Sequence, residues 1–235
     1  TSQFVYDKVE DNLWIVTNLG RVVRYNNHLS DFEVMYLPPI YSDQSDVLRS
    51  AVSPIDSKGN IWIFIANEVF CYNIRTLEGR KMKLDAPDDS PTYSAIGAKN
   101  DTTLYIGTKG GIYTGSIKDD SIHVSTIEVL QPYYINANTL YYHNTSNTLL
   151  IGSEDKGIYA LKEHSQTVIH DETLLPDVRV TKIIPTNKND EILFSTNAAC
   201  VYQMDIHECI PHPFLAADFT TNYRMNTDNV ADICI

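Results

Sequence analysis

The sequence predicts an all-β chain, a β-propeller of four-stranded blades. Three observations predict it: a recurring strand-forming hexapeptide, turn residues on both sides of each copy, and no sustained period of 3.6 residues. The hexapeptide reads Asn12-Leu13-Trp14-Ile15-Val16-Thr17, then Asn60-Ile61-Trp62-Ile63-Phe64-Ile65. It returns as Thr103-Leu104-Tyr105-Ile106-Gly107-Thr108, Thr148-Leu149-Leu150-Ile151-Gly152-Ser153 and Glu191-Ile192-Leu193-Phe194-Ser195-Thr196. Its anchors Trp14, Trp62, Tyr105, Leu150 and Leu193 are separated by 48, 43, 45 and 43 residues. A β-rich period in the mid-forties is the signature of propeller blades.

Each repeat parses into short strands. In the first, Phe4-Val5-Tyr6 precedes Leu13–Thr17. In the second, Val47–Val52 leads to the turn Ser57-Lys58-Gly59-Asn60, where Gly and Asn tolerate positive φ. Ile61–Ile65 follows, then Val69–Asn73, and Lys81–Leu84 alternates as an outer strand should. The third uses Tyr93–Ala98, Leu104–Thr108, Ile112–Thr114 and Ile122–Thr126. The fourth uses Leu140–Tyr142, Leu149–Ser153 and Gly157–Ala160, and the fifth Arg179–Ile184, Ile192–Thr196 and Cys200–Tyr202. Pro38, Pro39, Pro87, Pro91, Pro132, Pro176, Pro211 and Pro213 are expected in linkers, because proline donates no N–H to a ladder. Blade boundaries then fall near 1–40, 41–88, 89–131, 132–175 and 176–227, and Asn229–Ile235 reads as the first strand of a sixth blade. The chain is either a five-bladed ring or a piece of a larger propeller. The piece is favoured, because blade one shows no vacancy for an exchanged strand.

Composition narrows the function. The 235 residues carry 18 Lys+Arg against 30 Asp+Glu, a formal net charge of −12, which repels nucleic acid and anionic membrane surfaces. No apolar run reaches the roughly 20 residues that span a bilayer. Cys71, Cys200, Cys209 and Cys234 match no zinc spacing and are expected as free thiols, with a Cys200–Cys209 disulfide the alternative. His207 and His212 flank Cys209 only loosely, and no metal or other cofactor is expected.

Binding residues are sought at one end of the blades, where the loops into each first strand meet the turns between second and third strands. Lys109, Glu154, Asp155 and Asn197 occupy such turns. Asp46, Asp177 and Asp228 stand before first strands, where carboxylates of a glycosidase would stand, although Asp is also a common turn residue. Tyr133-Tyr134 and Tyr141-Tyr142 offer faces for sugar rings, or one Tyr inward and one outward on a strand. Tyr223-Arg224 would suit a carboxylated or sulfated sugar.

Gly59-Asn60-Ile61-Trp62-Ile63, Leu104–Tyr113 and Leu150-Ile151-Gly152-Ser153 with Gly157-Ile158-Tyr159 resemble the G-N-L-W-I-G-T…G-L-Y repeat of two-component regulator propellers. Leu150 and Leu193 depart from it by replacing the aromatic, and Ala198-Ala199-Cys200 by replacing the Gly turn. The resemblance implies a non-catalytic periplasmic sensor region of a Bacteroides-type hybrid histidine kinase. It implies an oligosaccharide ligand, and as partners the remaining blades and signalling domains of a parent protein. A homodimer is implied only because such kinases are dimeric. The two other readings are a small-propeller glycosidase or lyase, and a structural or protein-binding propeller.

Overall fold

The computed structural model describes residues 2–17, 21–26, 28–29, 31–36, 50–65, 68–85, 93–198 and 200–216. Asp46, Tyr223, Arg224, Asp228, Cys234 and the expected strand Asn229–Ile235 lie outside the described residues.

Among the described residues, twenty strands run in chain order. The first sheet is β1 (Ser2–Asp7), β2 (Asn12–Thr17), β3 (Arg21–Asn26) and β4 (Asp31–Tyr36). The next repeat gives β5 (Ser50–Val52), β6 (Asn60–Ile65), β7 (Glu68–Asn73) and β8 (Glu78–Asp85). Then come β9 (Tyr93–Asn100), β10 (Thr103–Thr108), β11 (Ile112–Lys118) and β12 (Ser121–Thr126). The fourth repeat is β13 (Ala137–His143), β14 (Thr148–Ser153), β15 (Ile158–Lys162) and β16 (Thr167–Ile169). The last is β17 (Val180–Pro185), β18 (Glu191–Thr196), β19 (Cys200–Asp205) and β20 (Pro211–Ala216). Within each repeat, sequential strands pair antiparallel, the pattern of a propeller blade.

The chain forms two compact units. The first holds Thr1–Ile106 with Tyr113–Thr126, and the second Gly107–Ile112 with Ile127–Ile235. In the first unit, Trp14, Val16 and Val22 pack with Ile61, Ile63, Phe70 and Tyr72, so blade one lies on blade two. The other face of blade two, Trp62, Phe64, Val69 and Met82, packs on Ile96, Leu104, Ile106 and Ile122. In the second unit, Leu150, Ile158 and Ala160 pack on Ile183, Ile192, Phe194 and Met204. The five repeat anchors are all buried, which explains why an apolar residue recurs there at a fixed interval.

Turns are fixed by local side chains. Asp56 accepts from Lys58 and Asn60 N–H (2.9 and 2.8 Å) and receives the Trp62 indole N–H at 3.3 Å, around Gly59 at φ 82°. The residue ending a third strand caps the next turn in three blades. Asn26 accepts from Leu29 N–H, Asn73 from Arg75 and Thr76, and Asp205 from His207 and Glu208.

The strand arrangement corrects one expectation and adds to others. Blades two and three are not separate sheets: β8 pairs with β12 in parallel, supported by Arg80–Asp120 at 2.9 Å and His123–Asp85 at 2.9 Å. Pro211 and Pro213 lie within β20 rather than in a linker. An outer strand has one edge with no ladder to serve, so the missing N–H groups are tolerated. Pro132 lies in the linker between β12 and β13 as expected, inside a short 3-10 helix, Glu128–Tyr133. Cys71, Cys200 and Cys209 are free and buried, and burial pushes all three thiols up, as befits small apolar residues.

Gly152 of the repeat shows why its type is required. A Cβ there would come within 2.6 Å of Thr139 Cγ2 and 2.7 Å of Val180 Cγ1. Gly152→Ala is therefore expected to destabilise the second unit by about 1–3 kcal/mol, read as a lower midpoint in urea with unchanged slope.

Candidate functional site

One end of the second unit is a continuous hydrogen-bonded rim. It begins at the β10–β11 turn, where Thr108 N–H donates to Gly111 C=O (3.0 Å) and Lys109 bridges Asn136. Asn136, in the lead-in to β13, accepts from Glu154 N–H (2.8 Å). Glu154, in the β14–β15 turn, ion-pairs with Arg179 Nε at 2.6 Å. Arg179, in the lead-in to β17, donates its backbone N–H to Asn197 Oδ1 and accepts from Asn197 N–H of the β18–β19 turn, each at 3.0 Å. Asn138 Nδ2 donates to Val180 C=O (2.8 Å), closing the same end from beneath.

The sequence placed Lys109, Glu154 and Asn197 on one end because second-to-third-strand turns must emerge together. The rim joins them through Asn136 and Arg179, which the sequence reading did not single out. The available signal was position: both residues stand just before a first strand. Lys109 is exposed, and the Glu154 carboxylate is part-shielded by its guanidinium partner.

Tyr133 and Tyr134 close the 3-10 helix beside this rim, and both are exposed. Tyr134 is left-handed (φ 46°, ψ 57°) and 74% exposed. A bulky side chain in that region is uncommon, and such strain concentrates at ligand sites. Tyr133 C=O accepts from Lys156 Nζ (3.4 Å), and its ring meets Tyr159 edge-on at 5.9 Å. Tyr159 stacks in turn on His170 at 3.7 Å. Ser153 Oγ donates to Asp155 and accepts from the N–H groups of Asp155 and Lys156, each within 3.2 Å, which fixes the β14–β15 turn. Asp177 is exposed and left-handed at φ 54°. Its neighbour Val178 accepts from Gly157 N–H (2.8 Å). Tyr141 and Tyr142 do not join this group. They alternate on β13, and Tyr142 bonds Glu163 and Asn147 near the opposite end of the blade. Among the described residues, no three His, Cys, Asp or Glu side chains converge to hold a metal ion, and no helix is long and apolar enough to cross a membrane.

No protein-family model matches the chain, and no curated protein does. Solved structures do. The extracellular domain of BT4673 from B. thetaiotaomicron, a candidate one-component system, is similar at TM-score 0.65 and 13% identity, over 97% of this chain and 29% of that one. The RRP9 WD40 repeats are similar at TM-score 0.63 and 9% identity, over 88% and 61%. U3-55K is similar at TM-score 0.60 and 9% identity, over 88% and 62%. The fold is a β-propeller fold. At these identities the likeness is one of fold alone, and the chain spans under a third of the BT4673 domain.

Burial, followed by the nearby charges of Glu172 and Asp155, pushes Tyr159 up to about 12. In the first unit, burial and Glu33 push Tyr72 up to about 12. A raised acid pKa favours the neutral form in the folded state. Its contribution is complete below about pH 10, where unfolded tyrosines ionise, and is lost as pH rises towards 12. Far-UV circular dichroism and tyrosinate absorbance followed together should show unfolding in this window. Full tyrosinate absorbance at pH 10–11 with unchanged strand signal would contradict it.

Proposed function

We propose that this chain is the ligand-recognising propeller segment of a longer extracellular sensor, and that its ligand is an oligosaccharide bound at the rim of the second unit. The observation that carries the reading is the rim itself. Exposed Tyr133 and Tyr134 stand beside Lys156, Lys109 and the Glu154–Arg179 pair on one hydrogen-bonded frame. Aromatic faces stack on the apolar faces of sugar rings, and fixed polar groups read the hydroxyls. The strained Tyr134 and the likeness to an extracellular domain of a signalling system favour sensing over a purely structural role.

In this reading the parent protein lies across the inner membrane, with these blades in the periplasm. Binding acts by favouring one of two packing arrangements, passed to signalling domains outside this sequence, in the resembling family a dimeric histidine kinase. Tyr223 and Arg224 extend the proposed contact set from the adjoining sequence, and Asp177 from the lead-in to β17.

A thermal-shift screen of the purified chain against a panel of oligosaccharides tests this. A ligand at about 100 times its Kd adds about 2.7 kcal/mol to the folded state, a rise of several degrees. The shift should belong to one glycan class and fall sharply in Tyr134→Ala and Arg179→Ala. A cooperatively melting chain with no shift across the panel overturns the reading. Cleavage of a glycan, lost in Asp177→Ala, would replace it with an enzyme.

A further inference from the structure

Blades four and five border a cavity of about 170 Å³ that the rim does not use. Three pieces of the second unit wall it: the start of β15, the loop that follows β16 and the β19–β20 turn. Its interior is apolar, with Ile158, Ala160, Ile169, Leu175 and Met204. Leu174 and Ile210, 44% and 46% exposed, carry that lining out to the surface. Close-packed interiors leave few voids larger than a water molecule, and an apolar void of about 150 Å³ holds a ring the size of benzene. This cavity therefore has room for the apolar body of a small ligand.

The polar groups on the lining are mainly acceptors. His170 Nδ1 lies 3.0 Å from the Ile158 carbonyl oxygen, which can only accept, so Nδ1 carries the hydrogen and donates. The neutral ring then keeps a lone pair on Nε2. That nitrogen is buried, and no described residue donates to it. The ring is held in place by its stack on Tyr159 at 3.7 Å. Asp171 and Glu208 add two exposed carboxylates. Asp171 Oδ1 accepts from the Thr173 hydroxyl and N–H at 2.6 and 2.8 Å, which holds its carboxyl below the usual range and keeps it charged. The Cys209 thiol is already given to the Ile206 carbonyl at 3.1 Å. Among the described residues, no Lys or Arg lines the cavity, and Tyr159 brings its sole hydroxyl.

We propose that this cavity binds a small primary amine with an aromatic or branched aliphatic body. The body fills the apolar interior. The ammonium supplies donors to a lining that is rich in acceptors, and its charge suits a mouth that carries two anions. A carboxylate ligand would meet like charge at that mouth, and a plain hydrocarbon would leave His170 Nε2 unsatisfied. The site is distinct from the rim and does not rest on the sugar-binding reading.

Titration calorimetry of the purified chain with phenethylamine tests this, with phenylpropionate as a control of similar size and opposite charge. The amine should saturate at one molecule per chain, and the acid should not bind. Cys209 lines the cavity and reports occupancy locally. Its modification by methyl methanethiosulfonate, followed by peptide mass spectrometry, should slow several-fold when the amine is present. The double variant Asp171→Asn, Glu208→Gln should weaken the amine about fivefold and leave melting unchanged, since both side chains are exposed. His170→Phe keeps a ring against Tyr159 but removes the acceptor, and should weaken it further. The double variant decides the matter where His170→Phe does not fold. Equal binding of amine and acid overturns the proposal. So does amine binding that leaves Cys209 modification unchanged, or that is undiminished in the double variant.

Discussion

The constraint on which the rest of the structure depends is two-sided burial of the second strand in blades two to five. A strand such as β6, with Ile61, Ile63 and Ile65 in the core shared with blade one and Trp62 and Phe64 in the core shared with blade three, is a wall shared by two cores. It can be neither polar on one side nor replaced by a helix, because its neighbours sit at sheet-packing distance on both faces. Outer strands are free of this demand. β8, β12 and β20 carry charges, a parallel junction between blades and two prolines without loss of the sheet.

The same close packing explains the small residues of the repeat. Gly152 fits because Thr139 and Val180 leave no volume for a methyl group, and Gly157 because Leu175 approaches a left-handed backbone. Gly115 is held by Ile122 and Ile106 in the same manner. Glycine in a blade thus marks where a neighbouring element comes nearest. Tyr134, Asp177 and Cys209 adopt the left-handed backbone without being glycine. Two of these three belong to loops that bear on the proposed site, where shape is set by tertiary contacts instead of by local preference.

The rim of the second unit joins stability and recognition. Its frame combines backbone bonds between turns and lead-ins with the Asn197, Asn138 and Glu154–Arg179 side-chain links, so the side chains that project from it are held without being part of a core. Glu154 and Arg179 pair across two blades and hold two successive blade ends together. Exposed pairs contribute little to stability, typically under about 1 kcal/mol, so this one is better placed to hold a surface than to hold the fold.

The sequence by itself determined the strand-forming repeat, its period, the buried anchors from Trp14 to Leu193 and the end of the blades at which Lys109, Glu154 and Asn197 emerge. Each of these follows from local periodicity or from the fixed order of strands and turns, which the chain carries in its own spacing. Only the tertiary structure decided that β8 joins β12, that Asn136 and Arg179 complete the rim and that Tyr141 and Tyr142 turn away from it. These depend on contacts between residues roughly 20 to 45 positions apart, and no local pattern records which of several equally polar residues will meet.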